Sequence, residues 1–268
     1  LLVYINNVKQ EEGSGKSYEA SGTTITFSEA VASTDSCYLV FLGSAIQTVT
    51  APAGSIVSSQ FSSADLVLPK TVTIGSAGAE DTKLVFDGNA QDFHVGLDDS
   101  ADSLTIGLGS TLGTTSHMVF DANGIITKPL QPAFLVFSVD SNSFPVNDTR
   151  LMTLDTEVFD QNNDVASNVF TAPVTGRYNL SLSLYFTDVQ DDAIYLEVYL
   201  TTSNRTYYFI IDPEAMFERV SSYHTITASV LADMDASDTA SVSYRQSGGT
   251  ASTDFNGSDS FFSGYLVA

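Results

Sequence analysis

Few side chains in this sequence are spaced to do chemistry. The three histidines, His94, His117 and His224, are scattered along the chain. There is no Gly-x-Ser-x-Gly elbow, no phosphate-binding loop and no His-Glu-x-x-His. The carboxylate pairs Asp98–Asp99 and Asp191–Asp192 raise glycoside hydrolysis as a chemistry. That reaction needs two carboxyls across a sugar cleft, one with a raised pKa, and adjacency in sequence supplies no such geometry. No catalytic residue is assigned, and the chain reads as non-enzymatic. His224 falls in the apolar register of a strand pattern and reads as a core or interface histidine. Cys37, in an apolar segment, reads as a small buried hydrophobe.

A cation is the better candidate ligand. Calcium takes six to eight oxygens, often several carboxylates on one turn. Asp188, Asp191 and Asp192 lie in one short loop between strands. The competing reading is a solvated acidic loop, and the spacing is not that of an EF-hand. No cofactor is required by the rest of the sequence. Four Asn-x-Ser/Thr sequons occur, at Asn147, Asn179, Asn204 and Asn256. Asn179 sits inside a strong strand pattern, a poor place for a glycan.

The elements that would hold these groups are β-strands. The 268 residues carry 32 Asp and Glu against 10 Lys and Arg, a net charge of −22, with one Cys and no Trp. This acidity excludes nucleic acid and an anionic membrane surface as main partners. No apolar run approaches a membrane span, so no membrane insertion is expected. A single Cys excludes an internal disulfide framework. All five Lys precede position 130 and all five Arg follow it, which fits two joined segments; the acidic residues, 14 before and 18 after, do not divide this way. The sequence begins with Leu1, so the natural start is expected upstream or removed.

Three regions follow from the patterning. Residues 1–50 read as a small β module, with Leu2-Val3-Tyr4-Ile5, an Asn6-Asn7 turn, Thr24-Ile25-Thr26-Phe27 and Tyr38-Leu39-Val40-Phe41-Leu42. Residues 51–129 are rich in Gly, Ser and Asp. Their apolar pieces are very short: Leu66-Val67-Leu68, Val72-Thr73-Ile74, Leu84-Val85-Phe86, Val95-Gly96-Leu97, Leu104-Thr105-Ile106 and Met118-Val119-Phe120. Asp87-Gly88, Asp98-Asp99 and Asn123-Gly124 punctuate them. Strands this short bury no core in one chain, so an intertwined shaft of several chains is expected, with an irregular linker as the alternative; the homotrimer implied by the resemblance given below would make it an intertwined trimeric β shaft. Residues 130–268 alternate strictly. Tyr178, Leu180, Leu182, Leu184 and Phe186 are apolar with polar residues between, and Ile194, Leu196, Val198 and Leu200 repeat the pattern with Glu197 facing out. Ile226, Ala228 and Val230, then Ala240, Val242 and Tyr244, continue it. Period 2 with turns between predicts a jelly-roll β-sandwich. Only Pro213–Arg219 could hold a helical turn. The fold class is all-β.

Three motifs in the last region resemble the complement-1q/tumour-necrosis-factor-like jelly roll. They are Pro132-Ala133-Phe134, the run Phe170-Thr171-Ala172-Pro173-Val174-Thr175-Gly176-Arg177-Tyr178, and Phe262-Ser263-Gly264-Tyr265-Leu266-Val267 at the C-terminus. The resemblance covers about half the chain and implies a homotrimer around a three-fold axis, with calcium in some members. Leu2 to Gln10, Tyr18 and Gly22 to Phe27 are similar to a small domain of bacteriophage tail fibres. The stretch from Phe86-Asp87-Gly88 to Asn123-Gly124-Ile125-Ile126-Thr127-Lys128-Pro129 is similar to phage fibre sequences that end in such a head. The implied protein is a homotrimeric tail fibre on the virion. Its N-terminal side would join other virion proteins and its head would bind a host surface glycan or protein. A capsid decoration fibre, or a bacterial surface protein with the same head, is the structural alternative; a polysaccharide depolymerase is the enzymatic one.

Topology places the contact surface. Eight antiparallel strands centred near 135, 158, 181, 197, 209, 227, 242 and 264 put the loops near 139–150, 187–192, 212–222 and 246–260 at the tip away from the shaft. Tyr223, Asp254, Phe255 and Asn256 are the expected contact residues there, with Phe255 as an exposed aromatic; the alternative is that these are solvent loops and that contact falls in the grooves between protomers, as in the resembled ligands.

Overall fold

Asn6 and Asn7 both adopt positive φ, 50° and 65°, the pair of conformations a tight hairpin needs. They join β1 (Leu2–Ile5) to β2 (Val8–Lys9), and β1 is flanked on its other side by β5 (Cys37–Val40). Between these, β3 (Tyr18–Ser21) and β4 (Thr24–Phe27) form a separate hairpin. Buried Tyr18 donates its hydroxyl to the Leu1 carbonyl at 2.8 Å, and Tyr4 stacks on Tyr38 at 5.0 Å. The structure, a computed structural model, describes residues 1–41, 70–139, 141–154, 156–219 and 221–268. The chain divides into two units, Leu1–Val72 and Thr73–Ala268. Leu42 and the Leu66-Val67-Leu68 piece lie outside the described residues. Cys37 is exposed, against expectation. It lies on the edge strand of a three-stranded sheet, where alternation alone does not bury a side chain.

The second unit begins with a single antiparallel meander. Its strands are β6 (Thr82–Phe86), β7 (Phe93–Asp98), β8 (Ser103–Leu108), β9 (Ser116–Phe120) and β10 (Ile126–Thr127), adjacent in chain order. Val72-Thr73-Ile74 forms no strand. The turn between β9 and β10 is built by Asp121, whose Oδ1 accepts from Asn123 N at 2.9 Å and Ile125 N at 2.8 Å. The Ile125 bond is the main force holding the Asp121 carboxyl below its ordinary pKa. One face of the meander carries small and polar residues. His94 opposes Gly107, and Gly96 opposes Thr105. Leu112, from the loop after β8, lies over Gly96, where a Cβ would stand 2.9 Å from its Cδ2. The strands are longer than the apolar triplets suggest, and they pair within one chain. An intertwining of chains is therefore not what forms this sheet.

The C-terminal half is a two-sheet sandwich. Its strands are β11 (Ala133–Phe137), β12 (Ser141–Ser143), β13 (Thr149–Leu151), β14 (Thr156–Asp160), β15 (Val165–Ala166), β16 (Val169–Thr171), β17 (Gly176–Val189), β18 (Ala193–Thr202), β19 (Thr206–Ile211), β20 (Ser221–Met234), β21 (Thr239–Gly248) and β22 (Asp254–Leu266). One sheet runs β14-β11-β22-β17-β20, with β12 also on β22. The other runs β15-β16-β21-β18-β19, with β13 on β21. After β16 the chain crosses between sheets at every connection but the β18–β19 hairpin, which is the jelly-roll path. All pairings are antiparallel and the sheets are open. The expected helical turn is α1 (Pro213–Met216), capped by Asp212, whose Oδ1 accepts from Ala215 N at 3.0 Å.

Alternation places the core between the sheets. Tyr178, Leu180, Leu182, Leu184 and Phe186 of β17 face Leu196, Val198 and Leu200 of β18 and Ala240, Val242 and Tyr244 of β21. Phe134 stacks on Phe170 at 4.6 Å and meets Phe262 edge-on at 5.1 Å. The motifs that resemble the family have packing reasons. Tyr178 donates to the Val174 carbonyl at 2.8 Å and so closes the corner into β17. A Cβ on Gly264 would stand 2.7 Å from both Leu180 and Phe134. A Cβ on Gly176 would meet Leu266 at 2.6 Å and the Ala268 carbonyl at 2.8 Å. Two details of β18 differ from the alternation. A bulge between Ala193 and Tyr195 turns Ile194 outward, and Glu197, though on the outer face, is only 8% exposed. The Tyr199 hydroxyl donates to its carboxylate.

The tip of the jelly roll as candidate functional site

The ends of the sandwich are set by where the chain enters. Gln161 Nε2 donates to the carbonyls of Lys128, Pro129 and Gln131 at 3.1, 2.8 and 2.9 Å. Arg177 N donates to the Ala268 carbonyl at 2.8 Å at the same end. Strand β11 pairs antiparallel with β22, so Asp254, where β22 starts, lies at the opposite end. That tip end gathers the segments 138–139, 141–149, 190–192, 212–219 and 249–253.

The tip loops are held by buried amides. Gln246 is fully buried. Its Nε2 donates to Gly248 O at 2.9 Å and Ala251 O at 2.8 Å, and its Oε1 accepts from Thr253 N at 2.8 Å. Gly248 and Gly249 take φ of 70° and 94°, which a β-carbon disfavours. Asn147 N donates to Gln246 O, and Asn147 Oδ1 accepts from Gly248 N at 2.9 Å. Asp192 Oδ2 accepts from Thr250 N at 2.9 Å. Gln190 N reaches Thr253 Oγ1 at 3.4 Å. The link between β11 and β14 joins in, because β12 pairs with β22 and β13 with β21. Phe144, between them, packs on Tyr244 and Phe255.

Three of the four expected contact residues are brought together, but on a sheet face. Thr187 pairs with both Tyr223 and Asp254, so these two share one row on the outer face of the first sheet. Tyr185 pairs with Thr225 and Asn256 in the next row. Tyr223 is 70% exposed and its ring stacks on Tyr185 at 6.0 Å, with 16° between planes. Asn256 Nδ2 donates to Asp259 at 3.1 Å. Burial, then Tyr223 and Asp259, push the Tyr185 hydroxyl up from its ordinary pKa. Tyr185 and Asp259 were missed in the sequence; the signal for Tyr185 was its polar-face register on β17.

Phe255 corrects the expectation. It is 1% exposed and packs against Phe186 and Phe144 in the core. The stretch 246–260 is not one loop: β21 runs to Gly248 and β22 begins at Asp254, so the inward phase of β22 carries Phe255 between the sheets. His224 lies in the inward register beside Ile226 and meets the Phe217 ring edge-on at 5.5 Å. Burial lowers its pKa.

Asp188 is exposed with φ of 51°, and its carbonyl accepts from Gln190 Nε2 at 2.7 Å. Asp191 is half-buried and Asp192 is the loop acceptor described above. Among the described residues, no three His, Cys, Asp or Glu side chains form a group that could hold a metal ion. All four sequon amides are engaged by protein groups: Asn147 with Gly248, Asn179 with Tyr265, Asn204 with Asp233 and Asp238, and Asn256 with Asp259. Among the described residues, no helix is long and apolar enough to cross a membrane.

Strand order and connection define the class: a jelly-roll β-sandwich occupies the C-terminal half. Among solved structures the chain is similar to the globular domain of zebrafish complement 1qA protein, at 16% identity over 52% of this chain and 98% of that one, with a TM-score of 0.39. It is also similar to the crystal structure of murine APRIL, at 12% identity over 51% of this chain and 99% of that one, with a TM-score of 0.38. No protein-family model matches the sequence, and no curated protein matches it.

Proposed function

We propose that the chain is a non-enzymatic, homotrimeric viral tail fibre whose jelly-roll head binds a glycan or protein on a host cell surface. Its N-terminal side joins other virion proteins, and the head is carried on the particle surface. The observation that supports this reading best is the tip-end patch of Tyr185, Tyr223, Asp254, Asn256 and Asp259, standing beside loops that Gln246 and Asp192 hold in place. A stacked tyrosine pair with acceptors around it suits a sugar ring or a peptide side chain. Three copies would supply avidity to contacts that are weak singly.

The test measures binding of the labelled full chain to a panel of bacterial strains, with the mass of the same sample measured in solution. The expected mass is three times 28.6 kDa. Tyr223→Ala should weaken binding by about 30-fold, the effect of losing one aromatic hot spot worth about 2 kcal/mol. A monomer, or binding untouched by Tyr223→Ala and Asn256→Ala together, would refute the reading. Shortening of host polysaccharide by the purified chain would move the function to a depolymerase.

A further inference from the structure

The other head sheet, β15-β16-β21-β18-β19, holds a carboxylate out of water on its outer face. Glu197 of β18 stands in the outward phase between buried Leu196 and Val198, yet it is itself 8% exposed. Taking a carboxylate out of water is costly unless its oxygens are satisfied. Here the Tyr199 hydroxyl, two residues along the same face, donates to it. The bond fixes the phenol. Burial, then the hydrogen bond and charge of Glu197, push the Tyr199 hydroxyl up to about 12. Arg245 pulls the other way and Tyr195 adds to the rise, so both stand near the same hydroxyl. The Tyr199 ring meets Tyr208 of β19 edge-on at 5.3 Å.

Arg245 is the member of this group with its donors unused. Register sets it on β21 directly beside Glu197. Among the described residues, no carboxylate lies within ion-pairing distance of its guanidinium, and its buried Nε has no hydrogen-bond partner. The acids nearest in register are engaged elsewhere. Glu197 takes the Tyr199 hydroxyl, and Asp148, next to the Thr149 that pairs with Arg245, is bound to Arg150 at 2.6 Å. A guanidinium fork matches a carboxylate, which can take two of its donors at once. On the far side of β18, Ile210 pairs with Glu197 and Tyr208 with Tyr199, 57% and 59% exposed. Two strand spacings, about 10 Å, separate Arg245 from this apolar edge, room for one sugar ring across β18. Ser243 and Ser247, two residues either side of Arg245 in the same outward phase, add hydroxyls beside it.

We infer that the outer face of this sheet carries a subsite for a carboxylated pyranose, its carboxylate on the Arg245 guanidinium and its ring against Tyr199 and Tyr208. Glu197 is a positioning residue that acts through Tyr199. The subsite lies on the opposite sheet from Tyr185 and Tyr223 and depends neither on that patch nor on the number of copies. The net charge of −22 does not forbid an anionic ligand, because exposed charges beyond about 8 Å are largely screened at physiological ionic strength.

Saturation-transfer NMR on the intact chain, with sodium glucuronate and glucose as probes, tests this. Glucuronate should bind about tenfold more tightly than glucose, as charge-assisted hydrogen bonds to one guanidinium provide. Arg245→Met should abolish that preference, and Arg245→Lys, which keeps the charge but not the fork, should restore part of it. Tyr208→Ala, at an exposed position, should weaken both sugars. Arg177→Met, an exposed arginine at the base of the head, is the control and should keep the preference. Equal affinity for the two sugars, no binding of either, or a preference that survives Arg245→Met overturns the inference. A polyglutamate peptide that binds as tightly as glucuronate overturns the assignment to a sugar. Strain binding by Tyr223→Ala reads the first-sheet patch alone, so the two proposals fail separately.

Discussion

Replacing Gln246 by leucine tests whether the tip is held by one buried amide. The substitution removes three hydrogen bonds to loop backbone, from Nε2 to Gly248 and Ala251 and from Thr253 to Oε1. Each is worth about 1 kcal/mol net. Thr253 is fully buried, so its N–H loses a partner in a place water does not reach. That desolvation adds about 1–2 kcal/mol, for a total of about 4 kcal/mol. Each 1.4 kcal/mol is tenfold, so exchange of the Thr253 amide through local opening should accelerate by roughly 10²–10³-fold. Hydrogen-exchange mass spectrometry of peptides covering 246–256 reads this directly. Peptides of β17 should change little, because their bonds to β20 and β22 are untouched. Ser247→Ala, on the outer face, is the control and should leave exchange unaltered. If Gln246→Leu changes exchange by less than threefold, the loops are held by something other than Gln246 and the rigid-tip argument fails.

Gly264→Ala should destabilise the head by about 1–3 kcal/mol in urea unfolding, because the added methyl meets Leu180 and Phe134 at 2.7 Å with no space to move. His224 has its pKa lowered by burial from 6.5, so the unfolded chain binds the proton more tightly and stability falls as pH drops below about 6.5 until the folded pKa is passed. His224→Gln should flatten that part of the pH–stability curve, measured by denaturant midpoints, and an unchanged slope would refute the assignment. If Asp188, Asp191 and Asp192 bind calcium, chelation should lower the melting temperature; with Asp192 already bonded to Thr250, the structure predicts little change. Three chains together would carry −66, so the oligomer should dissociate less as salt rises toward 0.1–0.2 M, where screening acts over about 10 Å.

The sandwich was legible wherever one face of a strand is wet. Tyr178 to Phe186 alternates without a break because each second residue meets the core and the rest meet solvent, so a single sequence carries the register. The bulge at Ile194 was not legible, since an extra residue in a strand leaves no mark in composition. Phe255 was misplaced for a different reason. Asp254-Phe255-Asn256-Gly257 has the turn residues of a loop, but pairing with β12 and β17 on both sides holds it as a strand. Pairing of β17 with β22 on one side and β20 on the other brings Asp254, Asn256 and Tyr223 into one patch, a long-range arrangement that local pattern does not contain. In the meander, the triplets around Val85, Val95, Ile106 and Val119 were read at the right places. Their common apolar face appears only once the register is known, because it alternates with glycines and small residues.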